Sequence, residues 1–519
     1  MRGDEAALKK SSYPEAQPQS FSNDDTEHNL FTILRQIEDL ETGDQPLPQS
    51  ISTAKRTHNA LHFFIVTDVI ALVLGFIAAW ATSALINTTF FGRTDLNILT
   101  PTYMVLAIQF GALSLGLMLW FTYSNHYQMR IPFWMETKKI AEAIGFALLI
   151  NSFLQVVSKQ DFSRTWLLSA WLFSLVGIVS FRSLTRKALQ YFKRWSIATL
   201  IIGNGTTADE TRSVLKHETN LGYNLVAQIK DLPMAFKQAG FSWTNLCKAY
   251  KADHVIVALD GEDFEHARNA LAQLAREHIA FSVVPPTYNL SVVGMMPQFF
   301  LGQDVMLMAR NKGLDCSISR FLKRSFDIIT SLAGLIVVAP VIMILAAIVK
   351  LDGGAAFYNH KRIGLNGQVF ACLKLRSMTT KSNEVLSRYL ENNPAAKAEW
   401  LRDHKLKNDP RVTMIGAFMR RASLDELPQL INVLRGEMSI VGPRPIIVAE
   451  TFKYDSDIAF YYRVRPGITG LWQVSGRNDV TYAERVRMDS WYVRNWSLWH
   501  DIAIICKTFG VVLKGRGAY

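Results

Sequence analysis

The chain has 519 residues, 49% of them hydrophobic and only 19% charged, and its 56 Lys+Arg against 44 Asp+Glu leave a net charge of +12. With 30 Phe and 12 Trp, that balance argues against a soluble nucleic-acid binder and fits a membrane protein with basic cytosolic margins. Four scattered cysteines, Cys247, Cys316, Cys372 and Cys506, form no C-x-x-C pair, which excludes a disulfide framework and a structural zinc site.

Residues 1–50 are polar, without an apolar period, and read as a flexible cytosolic tail that carries no cleaved signal peptide. Four apolar segments follow, roughly 61–86, 101–121, 140–158 and 165–181. Each is long enough, at about 1.5 Å per residue, to cross a hydrocarbon core of about 30 Å. Lys55 and Arg56 precede the first, Arg130, Lys138 and Lys139 lie between the second and third, and Arg182, Arg186 and Lys187 follow the fourth. The positive-inside rule therefore places the N-terminus and everything after residue 182 in the cytosol. Asp68 lies within the first span, toward its cytosolic end, where a basic residue at the foot of another span would pair with it.

Residues 196–310 alternate strand-like runs (Ala198–Ile202, Leu225–Ile229, His254–Ala258, Phe281–Val284) with helical stretches, the pattern of a Rossmann-like α/β module. Its Gly203-Asn-Gly205-Thr-Thr-Ala208 is a shortened dinucleotide fingerprint. Two readings stand: a bound pyrophosphate, or a module that keeps only the tight turn.

A fifth apolar segment, Ile328–Val349, has 22 residues without a charge, but Arg320, Lys323 and Arg324 precede it and Lys350, Lys361 and Arg362 follow. Both flanks carry the cytosolic signature, and Pro340 sits near the centre. A Pro-broken re-entrant helix over about 322–350 satisfies both flanks, whereas a kinked spanning helix would put the remainder of the chain outside the cell.

From about 357 onward the chain is polar, basic and rich in Gly and Pro turns. Arg offers bidentate and Lys point-charge contacts to phosphate, so a polyphosphate site is expected. Ser423-Leu-Asp425-Glu426 matches a capping box, which gives Glu426 a structural reading. The adjacent carboxylates after Arg420 and Arg421 also suit phosphoryl transfer, with both ionised among cations, Asp425 attacking phosphorus and Glu426 holding Mg²⁺.

The motifs Lys374-Leu-Arg376-Ser-Met, Asn-Asp-Pro-Arg411, Ser423-Leu-Asp-Glu-Leu-Pro-Gln-Leu, Gly-Pro-Arg444-Pro and Arg465-Pro-Gly-Ile-Thr-Gly-Leu-Trp-Gln-Val-Ser-Gly-Arg477 resemble those of the bacterial sugar transferase family, the monotopic phosphoglycosyl transferases. The resemblance implies a membrane protein in three parts: four transmembrane helices (51–195), the α/β module (196–310) and a mainly helical monotopic catalytic domain (311–519) broken at Pro340. It implies that Asp425 attacks the β-phosphate of a UDP-sugar, galactose or glucose, and releases UMP. The sugar phosphate then passes to undecaprenyl phosphate, with Glu426 on Mg²⁺. Lys374, Arg376, Arg411, Arg420, Arg421, Arg444 and Arg477 become phosphate or nucleotide contacts. A homodimer in the bacterial inner membrane, with its catalytic domain on the cytosolic face, is the implied setting. The competing reading from another class is a non-catalytic scaffold of polysaccharide assembly.

Overall fold

The computed structural model describes residues 51–91, 101–158, 164–230, 242–261, 263, 267–277, 279–285, 295–299, 306–310, 314, 316–403, 406, 409–475 and 480–513. The N-terminal tail and Arg477 lie outside these residues. Two compact units divide at Pro286/Thr287, and the antiparallel pair β5 (Met295–Phe299) and β6 (Met306–Arg310) belongs to the second.

In the first unit, four helices follow the apolar segments: α1 (Ile51–Phe91), α2 (Pro101–Tyr123), α3 (Phe133–Val157) and α4 (Arg164–Tyr191). Each contains a stretch long and apolar enough to cross a membrane. Helices α1 and α4 approach closely because glycine sits at their contact: a Cβ on Gly75 would lie 2.6 Å from Ser174 Oγ, and one on Gly177 would lie 3.3 Å from Ala71 Cβ. Where α1 and α4 meet α3 lies a buried charge network. Arg182 Nε donates to Asp68 Oδ1 at 3.0 Å and Nη2 to Oδ2 at 2.6 Å, and Nη1 reaches Glu136 Oε1 at 3.1 Å. Arg186 also donates to Glu136, at 2.5 Å, and the Tyr127 hydroxyl to Asp68 at 2.9 Å. The partner expected for Asp68 is therefore Arg182, at the foot of the fourth span.

The module's sheet is parallel, in the order β2-β1-β3-β4, with β1 Ile197–Ile202, β2 Tyr223–Ile229, β3 His254–Val257 and β4 Phe281–Val283. Helices α5 (Thr206–His217), α6 (Trp243–Ala249) and α7 (Arg268–Arg276) alternate with the strands, as the βαβ pattern requires. Arg130, from the α2–α3 loop, joins module to bundle. Its guanidinium stacks 4.3 Å from the Trp195 ring and donates to Leu221 O at 2.5 Å and Trp195 O at 2.8 Å.

The C-terminal unit is built on α8 (Ser317–Lys350), which is 34 residues long. The expected separation into two helices at Pro340 does not occur: helix continues through it. The missing N–H removes one hydrogen bond while neighbouring turns keep theirs. One face of α8 packs on the unit along its length. Lys323 Nζ reaches Asp501 Oδ2 at 2.9 Å and Asp327 Oδ1 at 3.1 Å, and Arg324 donates to Val433 O at 2.6 Å and Leu434 O at 2.9 Å. Farther along, Leu345 and Val349 join a cluster with Leu375, Met419 and Leu424. The other face leaves Ile329, Leu332, Ile336, Val337, Met343 and Ile344 exposed. After α8 come an antiparallel hairpin, β7 (Phe357–Ile363) and β8 (Val369–Leu375), then α9 (Ser382–Asn392), α10 (Pro394–Asp403), α11 (Met414–Arg421) and α12 (Gln429–Arg435). A short parallel pair, Ser439–Val441 with Gly467–Thr469, and the helices α13 (Tyr482–Arg494) and α14 (Leu498–Leu513) close the core around Val433, Val441, Tyr492, Trp496 and Ile504.

Candidate active site

The Asp425–Glu426 pair sits on a single 3₁₀ turn, Leu424–Glu426, between α11 and α12. Three local devices place it. Thr413 caps α11, accepting from Gly416 N at 2.9 Å. Gly416 lets that helix lie against the end of β8, because a Cβ there would stand 1.9 Å from Ser377 O. Ser423 then turns the chain with φ 56°, left-handed geometry that a serine adopts only when its surroundings enforce it. The strand opposite is fixed by Asn432, whose amide accepts from Leu373 N at 3.0 Å and donates to Ala371 O at 2.8 Å.

These supports bring Lys374 of β8 onto the pair: its Nζ donates to Glu426 Oε1 at 2.7 Å. The capping box expected from the spacing is not formed, because the Ser423 side chain makes no cap bond and Glu426 points to Lys374. Asp425 is buried. Its carboxyl is held above the usual range, first by burial and then by the Glu426 charge, while Lys374 and Arg420 pull it down. Desolvation thus outweighs the neighbouring cations in the direction of the shift. The dyad also adjoins the long apolar helix, since Leu424 packs in the cluster of Leu345 and Val349.

The other expected anion contacts divide. Arg420 donates to Ser377 Oγ at 2.9 Å and lies close enough to influence Asp425. Arg421 is exposed at the end of α11. Arg411 is committed to Asp409, donating at 2.8 and 2.6 Å, and stacks 5.0 Å from the Trp400 ring. Arg376 is committed to the end of α8: it donates to Asp352, Ala355 O, Met378 O and Val349 O. Arg444 stacks 5.6 Å from the Trp472 ring.

Around Arg444 the structure assembles a group that sequence reading missed. Arg485 lies 4.1 Å from the Trp472 ring and 5.1 Å from the Tyr482 ring. Buried Asp489 accepts from the Tyr454 hydroxyl at 2.8 Å. Burial pushes its carboxyl up to about 7 against the pull of that bond, Arg485 and Arg444. Trp472 Nε1, Tyr482 Oη and Arg485 Nε are buried with no hydrogen-bond partner among the described residues. Burial, and after it the neighbouring Arg444 charge, lower the pKa of Arg362 on β7. Trp472 within its Gly-rich motif and Asp489 at the start of Asp-Ser-Trp-Tyr-Val-Arg were the available signals; Arg485 stands outside every motif.

Among the described residues no three metal-ligating side chains cluster. Two adjacent carboxylates nevertheless suit Mg²⁺, which is commonly held by one or two carboxylates together with substrate phosphates and water. In the α/β module the fingerprint turn is filled from within the chain. Asp260 Oδ1 accepts from Thr207 N at 3.3 Å and Thr207 Oγ1 at 2.5 Å, at the N-terminus of α5 where a pyrophosphate would bind. A Cβ on Gly205 would lie 2.1 Å from Asp260 Oδ2. Asp260 thus holds the turn from within the chain.

A family model described as bacterial sugar transferase matches residues 318–515. The undecaprenyl-phosphate galactose phosphotransferase of Salmonella typhimurium is 42% identical over 405 residues, 76% of this chain and 84% of that protein. The exopolysaccharide production protein ExoY of Rhizobium meliloti is 53% identical over 203 residues, 39% of this chain and 90% of that protein. The UDP-glucose:undecaprenyl-phosphate glucose-1-phosphate transferase of Escherichia coli is 30% identical over 420 residues, 75% of this chain and 86% of that protein.

Proposed function

The chain belongs to the bacterial sugar transferase family, and from that premise we propose that it transfers hexose-1-phosphate, galactose-1-phosphate in our reading, from a UDP-sugar to undecaprenyl phosphate. The observation that carries this reading is the buried Asp425 beside Glu426, set against Lys374 and Arg420 and adjoining the apolar helix. An Asp425 carboxylate oxygen bonds to the β-phosphorus as the bond from that phosphorus to the α–β bridging oxygen breaks; UMP leaves with the bridging oxygen. A phosphate oxygen of the polyprenyl acceptor then attacks the same phosphorus and Asp425 is released as carboxylate. Lys374 and Arg420 offset negative charge around the reacting phosphate, and the free donors of Trp472, Tyr482 and Arg485 suit the nucleotide. Glu426 would hold Mg²⁺, which neutralises diphosphate charge when bound.

A re-entrant α8, bent at Pro340 within its continuous run of helix, agrees with this chemistry. Its first turns bond to Asp501 and Val433, and its last to Arg376, all within one compact unit. Both ends then face the cytosol, where the UDP-sugar is found, and the lipid phosphate arrives at headgroup level of the bacterial inner membrane.

The test is UMP release by purified protein in vesicles with Mg²⁺, undecaprenyl phosphate and a panel of UDP-sugars. Asp425→Asn abolishes release while the melting temperature holds; undiminished release in that variant would remove Asp425 as nucleophile. UDP-glucose outperforming UDP-galactose would reassign the sugar and leave the reaction class intact.

A further inference from the structure

Arg376 is fully occupied. Its five guanidinium N–H groups meet five acceptors: Nε donates to Ala355 O at 2.7 Å, Nη1 to Asp352 Oδ2 at 2.7 Å and Met378 O at 3.3 Å, and Nη2 to Val349 O at 2.9 Å and to Asp352 Oδ1. Val349 O is among the last carbonyls of α8, which have no partner inside their own helix. Asp352 and Ala355 lie in the turn that leaves α8 for β7, and Gly354 makes room there: a Cβ on it would stand 2.9 Å from Arg376 Cζ and 2.4 Å from Thr380 Cγ2. Two residues before Arg376, Lys374 holds Glu426 at 2.7 Å. The C-terminal end of the apolar helix and the carboxylate dyad are thereby tied through three consecutive residues of one strand end.

We propose that Arg376, with Asp352, is a positioning residue that sets the height of α8 against the catalytic strand and so governs capture of the lipid-phosphate acceptor, not attack on the donor. The proposal rests on the transfer reading above. A water-borne donor reaches the dyad whatever the depth of α8. A polyprenyl phosphate has its tail in the hydrocarbon beside that helix, so the reach of its phosphate toward Asp425 follows the register of α8 on β8. Lysine cannot take over, because one ammonium has three donors and no planar fork.

The experiment separates the two half-reactions in vesicles for the unaltered protein, Arg376→Lys and Asp352→Asn. With UDP-sugar alone, all three release one equivalent of UMP per enzyme at the same rate. With undecaprenyl phosphate added, Arg376→Lys loses about 10²-fold in kcat/KM for the acceptor, the scale of an ångström misplacement, chiefly through KM. Asp352→Asn, which keeps the shape and removes the charge, shows a smaller loss of the same kind. An unchanged acceptor KM in both variants overturns the proposal, as does equal loss of the donor burst in the well-folded Asp352→Asn protein. Absence of a burst in the unaltered protein removes the two-step reading, and this proposal falls with it.

Discussion

As the proposed nucleophile, Asp425 must be ionised to attack. Burial and the neighbouring Glu426 raise its pKa, and Lys374 and Arg420 act in the opposite sense. Activity therefore falls as pH drops through this raised pKa, because protonation removes the attacking oxygen. Lys374→Met deletes a lowering influence, so the acid limb of the pH–rate profile moves to higher pH in that variant. A limb that stayed in place or moved lower would show that Lys374 does not act on Asp425. The roles of individual basic residues were the least legible part of the sequence, since arginine in a Gly/Pro-rich segment looks the same whether it meets phosphate or a carboxylate of its own chain. Asp409, two positions before Arg411, was a readable sign of local pairing. Asp352 was not, because a hairpin separates it from Arg376.

At the level of elements, apolar length is a one-dimensional property, and the four spans follow it directly. Their pairing is not one-dimensional. Asp68 and Arg182 meet across 114 positions, and Glu136 is recruited from a third helix. Asp68 and Glu136 balance Arg182 and Arg186, so formal charge cancels within the cluster. Arg182→Met leaves both carboxylates short of a buried partner and costs about 3–5 kcal/mol. Thermal unfolding in detergent should show a marked fall in Tm; an unchanged Tm would mean that water reaches the cluster. Helix α8 departed from expectation at Pro340 because one lost hydrogen bond is a small defect in 34 residues packed along most of their length. The dyad turn and the Ser439–Val441 and Gly467–Thr469 strands are only three residues each, too short for any periodicity to show.

At the scale of the whole molecule, the family match over residues 318–515 falls within the second of the two compact units. ExoY of Rhizobium meliloti aligns over 90% of its length with 39% of this chain. The C-terminal unit, with the dyad in it, is the core of the family match. Within that core, the exposed apolar strip of α8 has a mechanical consequence. On the re-entrant reading, the helix is a wedge that swells one monolayer and leaves the opposite one untouched. Such a wedge enters most readily where lipid packing is already loosened by strong convex curvature. With the catalytic unit facing outward, turnover should then be higher in small vesicles than in large ones of identical composition, and equal turnover at every size would argue that α8 crosses both monolayers. The rate of glycan initiation becomes, on this footing, a quantity that lateral pressure in a single leaflet can set.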